Sequence, residues 1–527
     1  MTNTPGPRSD AHQDPAHEHA PAVGTASPVV PVAPSAARRL RARALDPATA
    51  VGATAPTVYV GDTLLLPGLP DRTAASALDA LRALAGERGL RAVVVRDEAR
   101  DRALAEQGLA ERLDAATATT VRFVAADGGE PPDARLLLEE ARRRDADSFR
   151  GVGLSHVVGA AGYLQGVGYL QGVGYLQGVG YLQGVGYLQG VGYLQGVGGD
   201  GRAPVVWSAP SPRRASQPDD PWGNGPVVAV VDTGLGRHPW FDEGCVRDLR
   251  VGGSPVGLRF APADDPEASG VTLDPVNGVL DPLAGHGTFI AGIIRQRCPE
   301  ATLVSVPVMY GDGAADEADL VAALEGLLVH HLVASTDDSV GRPLDVVCLS
   351  MGYYHESPGA VVAEEALARV LRGLGEAGVA VVAAAGNAAG VVEFYPAALA
   401  AAPSSGVPLV SVGATVPGAA LVATYSNTGP WVRAYREGTH VVSTMPITFD
   451  ASARSGLATP NGTLPARATP DADDYSGGFG VWSGTSFAAP ALAAQIACAV
   501  GAGTPRDPGK RVDVVAEALA AVLEEPS

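Results

Sequence analysis

Apolar runs alternate with amphipathic segments through the second half of the chain. Five short runs rich in Val and Ala predict buried strands at 227–231, 302–308, 345–350, 379–384 and 409–412. Apolar residues at helical spacing predict helices at 319–333 and 359–375, and an amphipathic helix at 512–523 closes the chain. This alternation predicts an α/β fold in which a parallel sheet is covered by helices on both faces.

A smaller unit with a similar alternation lies upstream. Apolar runs predict strands at 57–60, 64–66, 92–95 and 121–124. Helical spacing predicts helices at 73–85, 103–113 and 133–144. We interpret residues 56–150 as a small α/β domain, and they contain no recognisable catalytic motif.

Other segments lack these patterns. Residues 1–55 mix Pro, Ala, Ser, His and charged residues without a period, which predicts disorder. Residues 162–198 repeat the unit Gly-Tyr-Leu-Gln-Gly-Val, and a linker is the first interpretation because one residue in three is glycine. A short β-helix, or a cleavable or partner-binding epitope, is the alternative. Polar segments at 252–284 and 451–474 predict long loops that rim a cleft.

Composition limits the classes of binding partner and the cellular compartment that we expect for this protein. The 527 residues include 57 acidic and 38 basic side chains, a net charge of -19 that disfavours nucleic acid and anionic membranes as partners. Four cysteines without a C-x-x-C pair predict no structural zinc site. The polar, proline-rich start lacks the apolar core of a signal peptide, and no run approaches the length of a membrane span. We therefore expect a cytoplasmic protein.

Three polar residues stand at the ends of predicted elements. Asp232 follows the run 227–231, so we expect it at the carboxyl edge of the sheet, where open α/β folds place their sites. His286 lies between glycines at the start of an apolar helix, and Ser486 precedes another. Each alone has an ordinary interpretation, as a strand-end cap, a helix-start histidine or a helix cap. Together they supply the acid, base and alcohol of nucleophilic catalysis.

The segments around these residues resemble those of the subtilisin-like serine peptidases, the subtilases, in which the triad runs in the order Asp, His, Ser. A fourth segment, 378–387, resembles the family's strand and turn that carry an oxyanion asparagine, here Asn387. The resemblance covers roughly residues 227–500. It implies a subtilisin-like peptidase domain at 205–525, with Asp232, His286 and Ser486 as catalytic residues and Asn387 in the oxyanion hole.

The resemblance also implies how substrate binds. The segment containing Ser350, Met351 and Gly352 is similar to the strand edge that pairs with an extended peptide and lines the first specificity pocket. Pairing through main-chain groups selects polypeptides with little sequence preference. No cofactor or metal is expected; calcium, common in the family, is possible, but acidic residues show no diagnostic ligand spacing.

The position of residues 56–150 resembles that of subtilase prodomains, which inhibit the enzyme until they are removed. An unrelated accessory or docking domain is an equal alternative. We therefore expect a serine endopeptidase, capable of self-processing and of intramolecular inhibition. The alternatives are a catalytically idle binding protein on the same scaffold, or an acyl-transfer peptide ligase or cyclase.

Overall fold

The computed structural model describes residues 32–50, 53–95, 108–125, 129–161, 202–206, 208–214, 221–418, 421–451, 457–458, 467–468 and 471–524. The hexapeptide array at 162–198 lies outside these residues, as do residues 1–31 of the segment predicted to be disordered. Residues 103–107 of the helix predicted at 103–113 also lie outside them.

The described strands, in chain order, are β1 Ala42–Leu45, β2 Thr57–Pro67, β3 Leu90–Val95, β4 Ala118–Ala125, β5 Gly153–Ala160, β6 Ala203–Pro204, β7 Val227–Asp232, β8 Cys245–Val246, β9 Arg250–Val251, β10 Ser254–Pro255, β11 Thr302–Pro307, β12 Ala314–Asp316, β13 Val346–Leu349, β14 Met351–Gly352, β15 Ala380–Ala384, β16 Val410–Thr415, β17 Ala434–Glu437, β18 Val441–Thr444, β19 Leu457–Ala458, β20 Arg467–Ala468 and β21 Phe479–Trp482. The described α-helices are α1 Pro34–Arg39, α2 Ala75–Glu87, α3 Ala110–Asp114, α4 Ala134–Arg144, α5 His286–Arg297, α6 Glu317–Ala334, α7 Ala366–Glu376, α8 Thr485–Val500 and α9 Pro508–Glu524.

The larger unit is built on a seven-stranded sheet in the order β17-β16-β15-β13-β7-β11-β8. Every pair in this sheet is parallel, and each of the five predicted strand runs overlaps one of its strands. All six residues of β7 are buried, so both of its faces are covered, as expected for a parallel sheet. Helices α5 and α8 pack on each other, as do α6 and α7. The predicted α/β fold with a parallel sheet is confirmed.

The smaller unit is an antiparallel sheet in the order β5-β2-β4-β3, against which α2 and α4 pack. Its core contains Leu64, Leu81 and Phe123, all fully buried. The two strands predicted at 57–60 and 64–66 form the single strand β2. Strand β5 was not predicted from the sequence.

The prediction of disorder across residues 1–55 is wrong for residues 34–45. Helix α1 lies against the larger unit, where the Arg39 guanidinium forms an ion pair with Asp312 at 2.6 Å and lies 3.7 Å from the centre of the Tyr310 ring. Strand β1 pairs antiparallel with β2. These elements are stabilised by contacts with distant residues, which the local sequence does not reveal.

The two units are joined through β5. Residues 153–156 of this strand pair antiparallel with β2, and residues 157–160 pair antiparallel with β12 along one edge and with β14 along the other. The sheet of the smaller unit therefore continues into the larger unit. Within the part of the chain that is described, no helix has both the length and the apolar character needed to cross a membrane.

Candidate active site

Asp232 and His286 meet at the carboxyl end of the central strand β7. Asp232 is the last residue of β7, and His286 is the first residue of α5. Asp232 Oδ1 lies 2.7 Å from His286 Nδ1, and both side chains are fully buried. Because a carboxylate oxygen can only accept, Nδ1 is the protonated nitrogen in this contact. Among the described residues, His286 Nε2 has no hydrogen-bond partner, so its lone pair is available to take a proton.

Glycine at position 287 allows this approach. A Cβ atom at Gly287 would lie 2.2 Å from the backbone oxygen of Gly234, in the turn that follows Asp232. Gly285 adopts a φ of +80°, in the left-handed region that favours glycine. The Gly-His-Gly segment therefore brings the start of α5 against the turn after β7.

Ser486 lies in a segment whose aromatic residues pack against the His286 imidazole. It is the second residue of α8, between two aromatic residues whose rings are 5.4 Å (Trp482) and 5.5 Å (Phe487) from that of His286. In this structure the Ser486 hydroxyl donates to the backbone oxygen of Ser350 at 3.2 Å. Because Ser486 is near the start of a helix, its backbone N–H has no intrahelical acceptor and lies at the positive end of the helix dipole.

Asn387 follows β15 and lies next to the same helix start. Its Oδ1 accepts a hydrogen bond from the backbone N–H of Thr485 at 2.9 Å. Because that donor fixes which end of the amide carries oxygen, the amide nitrogen faces the other way. Asn387 Nδ2 is buried and has no hydrogen-bond partner in the part of the chain that the structure describes. The arrangement leaves an oriented donor beside Ser486, available to a developing negative charge.

Glu267 is a buried carboxyl group that the sequence did not single out. It lies in the long loop at 252–284 and accepts hydrogen bonds from Thr288 Oγ1 at 2.6 Å and Gly287 N at 3.1 Å, and it contacts Thr233 Oγ1. Thr233 directly follows Asp232, and Thr288 lies two residues after His286. Burial is the main cause that raises the pKa of Glu267 to about 7, against the lowering effect of the threonine hydroxyls. Glu267 thus links the segments that carry Asp232 and His286.

The edge formed by Ser350, Met351 and Gly352 is paired with residues of the same chain. In β14, Met351 lies opposite Ala160 and Gly352 lies opposite Gly159 of β5. The backbone N–H of Ala161 donates to the Ser350 oxygen at 2.8 Å, the same oxygen that accepts from the Ser486 hydroxyl. This arrangement places the end of β5 next to Ser486.

Strand β5 is also paired along its other edge, with β12 of the larger unit. Residues 157–159 pair antiparallel with β12, and Ala160 N donates to the oxygen of Gly313 at 2.9 Å. Strand β5 therefore runs extended between two edges of the larger unit, hydrogen-bonded to both, and all eight of its residues are buried. Residues 153–160 lie beyond the boundary of 150 that the sequence suggested for the small domain.

Comparisons with known proteins agree with this architecture. The family described as the subtilase family matches residues 223–513. Serine protease AprX of Bacillus subtilis (strain 168) is 28% identical over 181 residues, 31% of this chain and 34% of AprX. Subtilisin BL of Lederbergia lenta is 28% identical over 249 residues, 45% of this chain and 74% of that protein.

Among solved structures, fervidolysin from Fervidobacterium pennivorans aligns with a TM-score of 0.45 and 17% identity, over 84% of this chain and 55% of that one. The chain spans about a third of the length of AprX. Because the family match extends over more than half of the sequence, this chain belongs to the subtilase family.

Proposed function

We propose that the chain is a serine endopeptidase that hydrolyses peptide bonds through Asp232, His286 and Ser486. The observation that carries this proposal is the 2.7 Å contact between Asp232 Oδ1 and His286 Nδ1, which leaves Nε2 buried and without a partner among the residues described. An alcohol is too weakly acidic to attack an amide at neutral pH without a base, and imidazole is the side chain whose pKa suits that task.

Acylation begins when the Ser486 hydroxyl turns from the Ser350 oxygen to His286 Nε2. The oxygen attacks the substrate carbonyl carbon, and its proton passes to Nε2. Asp232 holds the ring in the tautomer that can accept this proton, and its charge stabilises the imidazolium that forms. His286 then donates the proton to the leaving amine, and water hydrolyses the acyl-enzyme by the same steps.

Asn387 stabilises the tetrahedral intermediate. The carbonyl oxygen becomes negatively charged when the carbon is attacked, and Asn387 Nδ2 and the backbone N–H of Ser486 donate to it. Leaving a buried donor such as Nδ2 without a partner among the described residues costs about 1–3 kcal/mol of folding stability. A catalytic role for this donor accounts for that cost.

Hydrolysis of a short chromogenic peptide tests this function. Ser486→Ala should reduce kcat/KM to the background rate, whereas Ser483→Ala should retain activity. Ser483 is a matched control, since its hydroxyl lies three residues away in the same segment and accepts from the backbone N–H of His440. Equal activity in wild type and Ser486→Ala would refute the proposal, and if both were at the background rate it would favour an idle scaffold that only binds partners.

We further propose that β5 inhibits the peptidase and is its first substrate. An extended peptide substrate would pair with β12 and β14, and β5 already uses both edges. Ala161 donates to the Ser350 oxygen beside the Ser486 hydroxyl, so the carbonyl of Ala161 is the carbonyl best placed for attack. Cleavage then falls after Ala161, at the junction with the repeat array.

Intact-mass measurement and N-terminal sequencing test this cleavage. The wild-type chain should yield a new N-terminus at position 162, whereas Ser486→Ala should remain uncleaved at this bond. Cleavage at another bond, or identical masses for the two proteins, would refute self-processing after Ala161. Neither result would bear on the hydrolysis of added peptides, which is measured separately.

A further inference from the structure

Two histidines and a glutamate converge where β5 meets the larger unit. His156 lies in β5, and His355 and Glu356 follow β14 by three and four residues. One potential ligand atom from each of the three lies within 4.8 Å of the other two. Glu356 Oε2 is 2.8 Å from His156 Nε2 and 3.6 Å from His355 Nδ1. The three side chains come from two units of the chain and face one point.

The other ring nitrogen of each histidine contacts a second carboxylate. His156 Nδ1 is 2.6 Å from Glu317 Oε2, and His355 Nε2 is 3.0 Å from Glu365 Oε2. Metal-binding histidines commonly make this contact, because a carboxylate on the far nitrogen fixes the tautomer and increases the basicity of the near nitrogen. Both histidines have their near nitrogens directed toward Glu356.

The Tyr353 side chain keeps the His156 ring in place. The two rings are stacked, with their centres 4.2 Å apart and an angle of 11° between their planes. The Tyr353 hydroxyl donates to Glu317 Oε1 at 3.0 Å, so it also holds the carboxylate that contacts His156. The arrangement is therefore fixed before any ligand arrives.

The charge of this cluster favours a cation. Three carboxylates, from Glu317, Glu356 and Glu365, surround two imidazoles, and within the described residues none of the three forms an ion pair with Arg or Lys. Glu317 and Glu356 place negative charge against the two nitrogens of the His156 ring. The same negative potential attracts a divalent ion.

We propose that His156, His355 and Glu356 bind a divalent transition-metal ion, with Zn²⁺ the best match to two imidazole nitrogens and one carboxylate oxygen. Zinc takes such ligands in a tetrahedral site and keeps a fourth position for water. The Glu356 side chain is 12% exposed, which gives water access from that side. Thiolate-preferring ions are disfavoured by the absence of sulfur among these three ligands.

Zinc replaces hydrogen bonds that exist without it. The proton shared by His156 Nε2 and Glu356 is released to solvent when the metal binds. The Ser357 backbone N–H, which donates to His355 Nδ1 at 2.9 Å, must give up this contact so that the lone pair can bind the metal. Metal affinity should therefore fall at acid pH, where protons compete for these ligands.

A metal at this position would act as a clamp, by which we mean that it links β5 to the larger unit and keeps β5 docked. One ligand belongs to the smaller unit and two to the peptidase, so the complete site exists only while β5 is docked. At free zinc of about 100 times its Kd, binding to the docked form alone lowers the undocked fraction about 100-fold. Metal binding does not depend on catalysis, whereas this control of activity rests on the proposed function.

The metal content of the full-length Ser486→Ala protein, loaded with zinc and then desalted, tests the site. Elemental analysis should find one zinc per chain, lost in both His156→Ala and Glu356→Gln and kept in His440→Gln, which removes an exposed histidine outside the cluster. Co²⁺ should give the visible bands of a tetrahedral site in the parent and not in Glu356→Gln. Should His156→Ala fail to fold, Glu356→Gln still decides. Protein without zinc, or zinc retained equally by both variants, would overturn the site and leave a protonated His156 bridging two carboxylates.

The effect of a zinc chelator on peptide hydrolysis by the active chain tests the clamp. Chelation should increase hydrolysis, added zinc should reverse the increase, and Glu356→Gln should not respond. Zinc bound at the site without any response of an active enzyme would overturn the clamp. Zinc bound by a protein that hydrolyses no peptide under any condition would leave the site standing and refute the proposed function.

Discussion

Shortening Val158 should release the peptidase from its own N-terminal unit. Val158 is a fully buried residue of β5, lies opposite Ala315 of β12, and belongs to the same buried cluster as the peptidase core. Val158→Ala removes two methyl-sized groups, worth about 0.8 kcal/mol each when buried, or about 1.6 kcal/mol in total. At about 1.4 kcal/mol for each factor of ten, the fraction of molecules with an open cleft should rise about 14-fold.

The assay is the rate of short-peptide hydrolysis by the full chain, with the intact mass measured in the same sample. Val93→Ala is the matched control. It makes the same change in β3, the far edge strand of the shared sheet, where Val93 is 36% exposed. Melting temperatures of both variants show whether the N-terminal unit remains folded.

The reasoning fails if Val158→Ala hydrolyses peptide no faster than Val93→Ala while both remain folded. In that case the pairing of β5 with β12 and β14 would not limit access to Ser486. A void left by the lost methyl groups adds to the cost of the substitution, so an increase above 14-fold is compatible with the account.

Three further predictions concern the oxyanion site, a buried carboxyl group and a buried ion pair. Asn387→Ala should lower kcat for peptide hydrolysis about 10²–10³-fold with little change in KM, as loss of one such donor does in a subtilisin, and unchanged kcat would contradict the assigned role. The pKa of Glu267 is raised from 4.5 to about 7, so the folded chain keeps a proton that the unfolded chain releases, and stability falls as pH rises from about 4.5 to 7. In a Ser486→Ala background, Glu267→Gln should therefore show a smaller fall in melting temperature over this pH range. Parallel curves of melting temperature against pH would contradict this prediction. Arg511→Met should destabilise the fold by about 3–5 kcal/mol in urea unfolding, since it leaves the buried Asp345 carboxylate without its ion-pair partner. Arg506→Met, which breaks a solvent-exposed ion pair with Asp338, should cost about 1 kcal/mol or less. Equal effects of the two substitutions would refute this distinction.

The central sheet could be predicted because it depends on local patterns, whereas the approach of Asp232 to His286 was expected from the resemblance to the subtilases. Val and Ala runs that are buried on both faces differ clearly from amphipathic helices. Gly285 and Gly287 mark a helix start that comes close to another turn, and the structure shows that contact at Gly234. Local composition and spacing were sufficient for the sheet alone.

Strand β5 could not be predicted in this way. Residues 153–160 include two glycines and a histidine, which weaken the strand pattern, and the stabilising pairs lie more than 150 positions further along the chain. Helix α1 is only six residues long, and its contact with Asp312 is equally remote in sequence. Pairing of this kind is decided by tertiary packing.

Glu267 and the cluster around His156 were missed for a related reason. Glu267 is one of several acidic residues in a polar loop, and only the folded chain buries it between two threonines. His156 and His355 are 199 positions apart, without any spacing typical of a metal site. The expectation that the chain binds no metal rested on spacing alone.

Labelling with a fluorophosphonate probe, followed by peptide mapping, tests the central claim most directly. The probe reacts with a serine only when a base activates that serine. We expect a single label on Ser486 that is lost in His286→Ala and in Ser486→Ala and retained in Ser483→Ala. Labelling of Ser486→Ala at the wild-type level would show that Asp232, His286 and Ser486 do not form the nucleophilic site.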